Sequence, residues 1–506
     1  LVKSHTKTSA YTDKRAQVCT SDYFLDKQQD KFKLSLLSLV LLSIFFSPSA
    51  AANTTNTQKP YLQDGATASN SGYDDGSIGI GKESKVSYGA VAIGQKSKAE
   101  GRTSIAIGYS AKTASEHNDA IAIGNSSTAT GPGTVSVGYN SQAKDRSVVL
   151  GANAEGKNAQ TVVIGPLAKA SASQSITIGA DTKAEGYGSI SIGGDDLDQT
   201  DYHDNNKTNS PRRTTTAKGK ASVAIGGLSL ATGDGSIVVG PLASASHVEG
   251  IAIGARSKST NEYGIAVGGG ATAGKNAVAV GRDSKGAGED SIAIGNSAKT
   301  TGADSVVVGA NIDVTDGQLV AIGYQASAKS HSTALGYKAS AGGMHSVAVG
   351  ESAMINDGAA RATAIGNNTV VTVGGGVALG YGSNASTAGG VEGLKQNHSV
   401  TTGGSTVENG FKSTERVDGN KIGAVSVGLS GNKLIKRQIV NVAAGTQDTD
   451  AVNVAQLKSL TMKIGGDNSS SGKVGIWDGT LKVVGTSGQI KTSANGDTIT
   501  LKLDET

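Results

Sequence analysis

The chain has 506 residues, a formal net charge of +4, 72 glycines, 6 prolines, one tryptophan and 4% aromatic residues. Large side chains dominate ordinary cores, so this composition excludes a thick globular interior, and the few prolines exclude collagen and proline-rich linkers. Lysines are interspersed with acidic residues and no run of five like charges occurs, which argues against a nucleic-acid footprint.

An apolar block, Leu34 to Phe46, follows Lys27, Lys31 and Lys33 and precedes Ala50–Ala52. It is shorter than the ~20 residues of a membrane-spanning helix. Residues 1–52 therefore read as a long, basic secretory signal cleaved after Ala52. The sole cysteine, Cys19, lies within it, so the exported chain would have no disulfide. Residues 53–75 read as a linker.

From residue 76 one phrase recurs: "AVAIG" at Gly94, then Gly108, Gly124, "SITIG" at Gly179, "SVAIG" at Gly226, then Gly254, Gly295, "SVAVG" at Gly350, and Gly366. Counting every closing glycine from Gly81 to Gly428 gives 22 marks, with thirteen spacings of 14 residues, four of 13, two of 16, and insertions at 33 and 48. Phase held over such a span means a solenoid. Each period alternates twice, once in the phrase (Ile190, Ile192) and once three and five residues past the mark (Thr182, Ala184). It reads as strand–turn–strand–turn, and stacked coils give two parallel sheets in a rod of roughly 100 Å. Gly186, Gly233 and Gly302, seven past the mark, are expected to supply a positive φ at a turn. The aliphatic pair of each phrase is expected to be buried in the coil. The Ala/Ser side is expected to pack against sister rods in a closed assembly.

Residues 194–217 interrupt the period. Asp195, Asp196, Asp198, Asp201, His203 and Asp204 could hold a hard cation through oxygen ligands, but EF-hand spacing is missing, and the segment reads as a solvated loop suited to a private binding specificity. His117, His247, His331 and His345 precede the phrase and read as exposed. Ser104, Ser189 and Ser291 have no neighbouring base and are not nucleophiles. "GGGATAG" at 268–274 lacks the Lys-Ser/Thr of a phosphate loop. No catalytic set, cofactor site or metal site is expected.

Past Gly380 the phase breaks, and 385–430 is glycine-rich until "GAVSVG" at Gly428. In "RQIVNVAAGTQDTDAVNVAQLKSL", 437–460, the latter half reads as a helix capped by Asp448, Thr449 or Asp450, with Ala451, Val454, Leu457 and Thr461 in a heptad-like stripe. Residues 464–506 alternate as strands, with Asn495-Gly496 turning a hairpin, and Trp477 is expected to pack locally.

These residues resemble the trimeric autotransporter adhesins, the YadA-like group. The 14-residue phrases at 76–384 are similar to that family's head repeats, 385–430 to its head-insert motifs, 431–463 to its neck and the start of its coiled coil, and 464–506 to a β-rich stalk module. The resemblance implies an all-β, left-handed parallel β-roll in three intertwined copies. Its neck would be carried by Arg437, Gln438, Asn441, Gly445, Asp450, Asn453, Gln456 and Leu457. It further implies an exported, outer-membrane-associated passenger for multivalent attachment to matrix proteins such as collagen, fibronectin or laminin, or to other cells. Family members end in a membrane β-barrel; no such strands precede Thr506, so the sequence reads as a fragment that meets the membrane only through an anchor it does not contain. The competing classes are an exported β-solenoid polysaccharide-degrading enzyme and an ice-binding or surface-layer solenoid. The phase-aligned positions are Ala, Ser, Thr and Lys rather than carboxylate clusters or flat Thr ladders.

Overall fold

The computed structural model describes residues 61–68, 76–115, 117–202, 214–389, 416–417, 420–431, 434–447, 450–466 and 469–504. The leader, His203, Asp204, His398, Asp448 and Thr449 lie outside the described residues. Almost everything described is β-structure, organised as a parallel solenoid.

Each phrase forms a three-residue strand, such as Val223–Ile225, hydrogen-bonded in parallel to the same phrase one coil on, with Ala224 opposite Val238. These strands build a 23-stranded sheet. Two-residue strands such as Lys183–Ala184 build the opposite wall in the same register, first as a 17-stranded ladder and then as a five-stranded one. At ~4.8 Å per coil the longer sheet extends about 105 Å. The stack starts earlier than the sequence suggests: Tyr61–Gln63, assigned above to a linker, pairs with Ile78–Ile80. The excursion after Gly380 rejoins the same sheet, because Val425–Ser426 pairs with Val377–Ala378. Likewise Thr216–Ala217, assigned to the insertion, is a regular rung opposite Lys183–Ala184.

The faces of the phrase are reversed from expectation. Ala224, Ala252, Ala266 and Ala293, the middle residues, are fully buried inside the coil, while the flanking Val and Ile point outward and stay half-exposed. Four small inward residues fill each coil, for example Ser257, Ser259, Gly264 and Ala266 around the coil of Gly254, where a Cβ added to Gly264 would meet the Gly274 carbonyl oxygen at 2.5 Å. The two walls stand too close to admit Ile or Leu in most coils. Hydroxyls inside are largely satisfied by each other and by backbone: Ser127, Ser136 and Ser141 form a buried triangle of 2.8–3.0 Å contacts. Toward the C-terminal end the lumen widens, and Ile312, Leu319 and Ile355 join one continuous cluster running from Ala293 to Ala385.

Two corners per coil adopt left-handed backbone: the second residue past the mark, as at Asn153 (φ 54°) and Asp181 (φ 48°), and the fifth before the next mark, as at Gly188 (φ 66°) and His331 (φ 59°). The glycines seven past the mark have no positive φ, which corrects the expectation. They are required because a Cβ on Gly186 would lie 2.0 Å from the carbonyl oxygen of Gly219 in the next coil. The mark glycines carry both constraints: Gly254 has φ +121°, and a Cβ there would meet the Gly268 backbone at 2.7 Å.

Among the described residues the segment after the last coil contains one helix, Val454–Lys458, one and a half turns long. Its cap is Asn453, not Asp448–Asp450. The Asn453 side chain accepts from the Gln456 amide at 2.9 Å and Gln456 reaches back to the Asn453 amide. The expected stripe is cut short because Thr461 already lies in a strand, Thr461–Gly465, paired antiparallel with Ser471–Gly475. The last hairpin joins Ile490–Asn495 to Thr498–Leu503 through Gly496 (φ 59°), as expected, and Trp477 takes a local cation–π contact from Lys458 at 5.7 Å.

Two outcomes follow from the thin interior. Gly254→Ala will lower stability by about 3 kcal/mol or more, since strain and backbone clash coincide, whereas Gly133→Ala, at φ +57° with open space around it, will cost only ~1 kcal/mol. Urea titration of both variants checks the difference. Ala266→Leu will destabilise by about 1–3 kcal/mol through overpacking. An unchanged midpoint for that variant would mean that the lumen is roomier than described.

Candidate functional site

The long-strand wall carries an outward aliphatic ladder. In every coil two β-branched or long aliphatic residues flank the buried middle one: Val91 and Ile93, Ile105 and Ile107, Ile121 and Ile123, and so on to Val377 and Leu379. Parallel register places identical positions above one another, so Val91, Ile105 and Ile121 form one column and Ile93, Ile107 and Ile123 the next. These residues remain partly open to solvent in the single chain: Ile253 is 39% and Leu335 43% exposed. Monomeric surfaces rarely keep apolar area this continuous. The opposite wall is mostly polar, with Lys, Ser and Thr commonest at its outward position and Leu230, Met354 and Val370 as apolar exceptions.

After the last coil the chain is tied back to the rod by Arg437. The Arg437 guanidinium donates to the carbonyl of Tyr381 at 2.5 Å, to Ser383 Oγ at 3.0 Å and to the carbonyl of Val427. Its side chain also lies against Gly380, where a Cβ would come 3.0 Å from it. Beyond this the chain is extended and closes on itself through polar contacts. Gln456 Nε2 donates to the Gly445 carbonyl at 3.1 Å, and Gln456 Oε1 accepts from the Gly445 amide at 3.0 Å. Asn453 Nδ2 donates to the Val442 carbonyl at 3.1 Å. The Asp450 carboxylate accepts the amides of Thr446 and Gln447, which hold its pKa below the usual carboxylate value. The structure thus brings Gly445, Asp450, Asn453 and Gln456 together. Gln438 and Asn441 (φ 60°) stay exposed, and Leu457 leaves 42% of its surface open. The apolar neighbours are more open still, with Ile439 at 72% and Val440 at 68%. The polar knot fixes the backbone and leaves the apolar side chains without cover from their own chain.

The insertion after Gly193 does not gather its acids. Asp196 accepts from the Asp198 amide at 2.6 Å, and no group of three metal-ligating side chains occurs among the described residues. Its first part lies back on the rod: Leu197 packs against Gly227, Arg256 sits 5.5 Å over the Tyr202 ring and donates to the Asp201 carbonyl at 3.3 Å. His331 and His345 occupy successive corners, both exposed, with rings 4.7 Å apart and perpendicular. Tyr324 and Tyr337 stack at 5.4 Å just past their marks. The outward ladder went unrecognised in the sequence, although its signal, an aliphatic pair in each phrase, is there; its direction was misjudged.

Residues 88–111, 118–141, 217–243, 245–271, 287–311, 329–353 and 359–383 match the family model described as the YadA head domain repeat. Residues 438–476 match the coiled stalk of trimeric autotransporter adhesin. Autotransporter adhesin BadA of Bartonella henselae is 44% identical over 84 residues, 17% of this chain and 2% of that protein. Autotransporter adhesin EhaG of Escherichia coli O157:H7 is 32% identical over 139 residues, 28% of this chain and 8% of that protein. The chain thus spans less than a tenth of the length of either relative. The crystal structure of the collagen-binding domain of the Yersinia adhesin YadA aligns with 55% of this chain and 84% of its own, at 23% identity and a TM-score of 0.14, so the two do not superpose as wholes. The head repeats stacked coil upon coil and the stalk segment that follows them are, over the matched residues, those of the trimeric autotransporter adhesins.

Proposed function

We propose that three copies of this chain pack side by side through the outward Val/Ile ladder to form a stiff head that attaches cells to surfaces. One observation carries the reading: a nearly continuous aliphatic column pair on one wall, interrupted at Thr333 and Thr363 and half-open in the single chain, with the opposite wall mostly polar. Burying two such side chains per coil recovers roughly 25 cal/mol per Å², and closed symmetry stops growth into a fibre. Ile439, Val440, Val454 and Leu457 beyond the rod are exposed as well, apolar side chains that sister copies would cover. The outer faces then repeat a weak contact in three copies over many coils, so that attachment comes from avidity. Matrix proteins such as collagen, fibronectin or laminin, or other cells, are the proposed targets, in line with the collagen-binding domain of YadA. In this reading 1–52 directs export, 61–389 is the head, the segment through 430 is its insert, 431–463 is the neck, and the following strands begin a stalk held at the outer membrane by parts of the protein beyond these residues.

The expected solution mass of the chain without its first 52 residues is that of a trimer. Ile253→Asp combined with Ile294→Asp will convert it to monomer and abolish attachment of coated beads to collagen or cell monolayers. A wild-type chain that sediments as a cooperatively folded monomer would overturn the reading.

A further inference from the structure

The outward position of the short-strand wall holds lysine in three successive coils: Lys85, Lys98 and Lys112 are direct register partners. At ~4.8 Å per coil their Cα atoms span about 10 Å along the rod. Lys96 joins them, and together with Gly65, Thr67, Glu83 and Ser110 these lysines line a groove of about 620 Å³. Like charges directly opposite on neighbouring strands destabilise a sheet. Two further pairs in the same column are directly opposed: Lys169 and Lys183 have carboxylates beside them, Glu155 at 3.5 Å and Asp181 at 3.9 Å, whereas Lys285 and Lys299 form an unneutralised pair but not a row of three. Among the described residues the four groove lysines have no ion pair, and a single carboxylate, Glu83, shares their groove.

Guarding the sheet edge does not explain the cluster. Edge lysines deter stacking of one rod on another, yet the edge rung carries Thr67, and Lys85, Lys98 and Lys112 follow on the second, third and fourth rungs. A linear row of unneutralised ammonium groups fits a ligand whose negative charges repeat along a line. The groove lining offers no aromatic platform for bases, no arginine fork for base edges, and no aliphatic or aromatic residue to enter a lipid layer or seat a hydrophobic side chain. We infer that the Lys85–Lys98–Lys112 ladder is a binding groove for a linear anionic polysaccharide, sulfated or uronic-acid-rich, lying along the rod axis. The groove deepens the attachment reading and rests on it for its biological use; the binding step itself stands on the ladder.

The test measures binding of the full chain to a heparin-derived sulfated oligosaccharide by calorimetry, with neutral dextran and duplex DNA as comparison probes. The oligosaccharide is expected to bind, dextran not, and affinity to fall at least tenfold between about 50 and 200 mM salt, as for a polyanion held by several lysines. Lys85→Gln, Lys98→Gln and Lys112→Gln together will weaken binding tenfold or more and flatten the salt dependence. Lys169→Gln with Lys183→Gln, in the paired part of the column, will leave it unchanged. All five positions are surface residues, and an unaltered far-ultraviolet spectrum confirms folding. Undiminished affinity in the triple variant, equal binding of dextran, or displacement of the oligosaccharide by duplex DNA at lower concentration would each overturn the groove. Beads coated with the triple variant separate the two readings: loss of glycan binding with collagen attachment retained leaves the adhesin intact, and glycan binding by a wild-type chain that attaches to nothing else removes the adhesin and keeps the groove.

Discussion

The gap between the two walls of a coil governs this molecule. Over most of the rod it is wide enough for a methyl, a hydroxymethyl or, in places, a valine side chain, and only the C-terminal coils admit Ile312, Leu319 and Ile355. A lumen that narrow cannot hold the large side chains from which most proteins draw their burial. Stability comes instead from backbone ladders that run unbroken from coil to coil, and from dense packing of very small groups. Glycine is needed where coils touch, because any Cβ at Gly124 or Gly254 would strike the backbone stacked on it. Most Val and Ile side chains, for which the lumen has little room, line one outer wall.

That division frees the outside from the inside. At the outward position of the short strands the chain places Lys85, Gln142, Glu155, Leu230, Asp313 and Met354 in turn, with the same backbone and register beneath each. Long excursions are equally tolerated, since the segment after Gly380 returns to the rung it left. The repeat therefore acts as a carrier on which surface chemistry varies at little cost to the fold.

The solenoid, its period and its two walls were legible from the phrase alone, because period-two alternation and a constant 14-residue spacing have no other common source. Which face turns inward was not. Alternation separates Ala224 from Val223 and Ile225 without saying which side is enclosed, and the usual rule that larger apolar residues go inside fails once the cavity is smaller than the side chain. Gly186 misled for a similar reason: glycine signals either a positive φ or a close approach, and only the stacked neighbour shows that it is the second. The neck helix was foreseen, but its cap was misplaced; Asn453 and Gln456, three residues apart, carry the capping-box signature that a closer reading would have used. The lysine row was invisible as a charge run because 13 and 14 residues separate its members. It exists only once coils are laid on one another.

The direction of the ladders has a mechanical meaning. Strands lie across the rod, so the hydrogen bonds between coils point along its length. Tension applied from end to end loads those bonds one rung after another rather than all together. A coil that yields releases about 14 residues, which stretch to ~45–50 Å in place of ~4.8 Å. Under flow or drag such a tether would lengthen stepwise while its remaining rungs stay folded, damping the pull that reaches the contact at its far end.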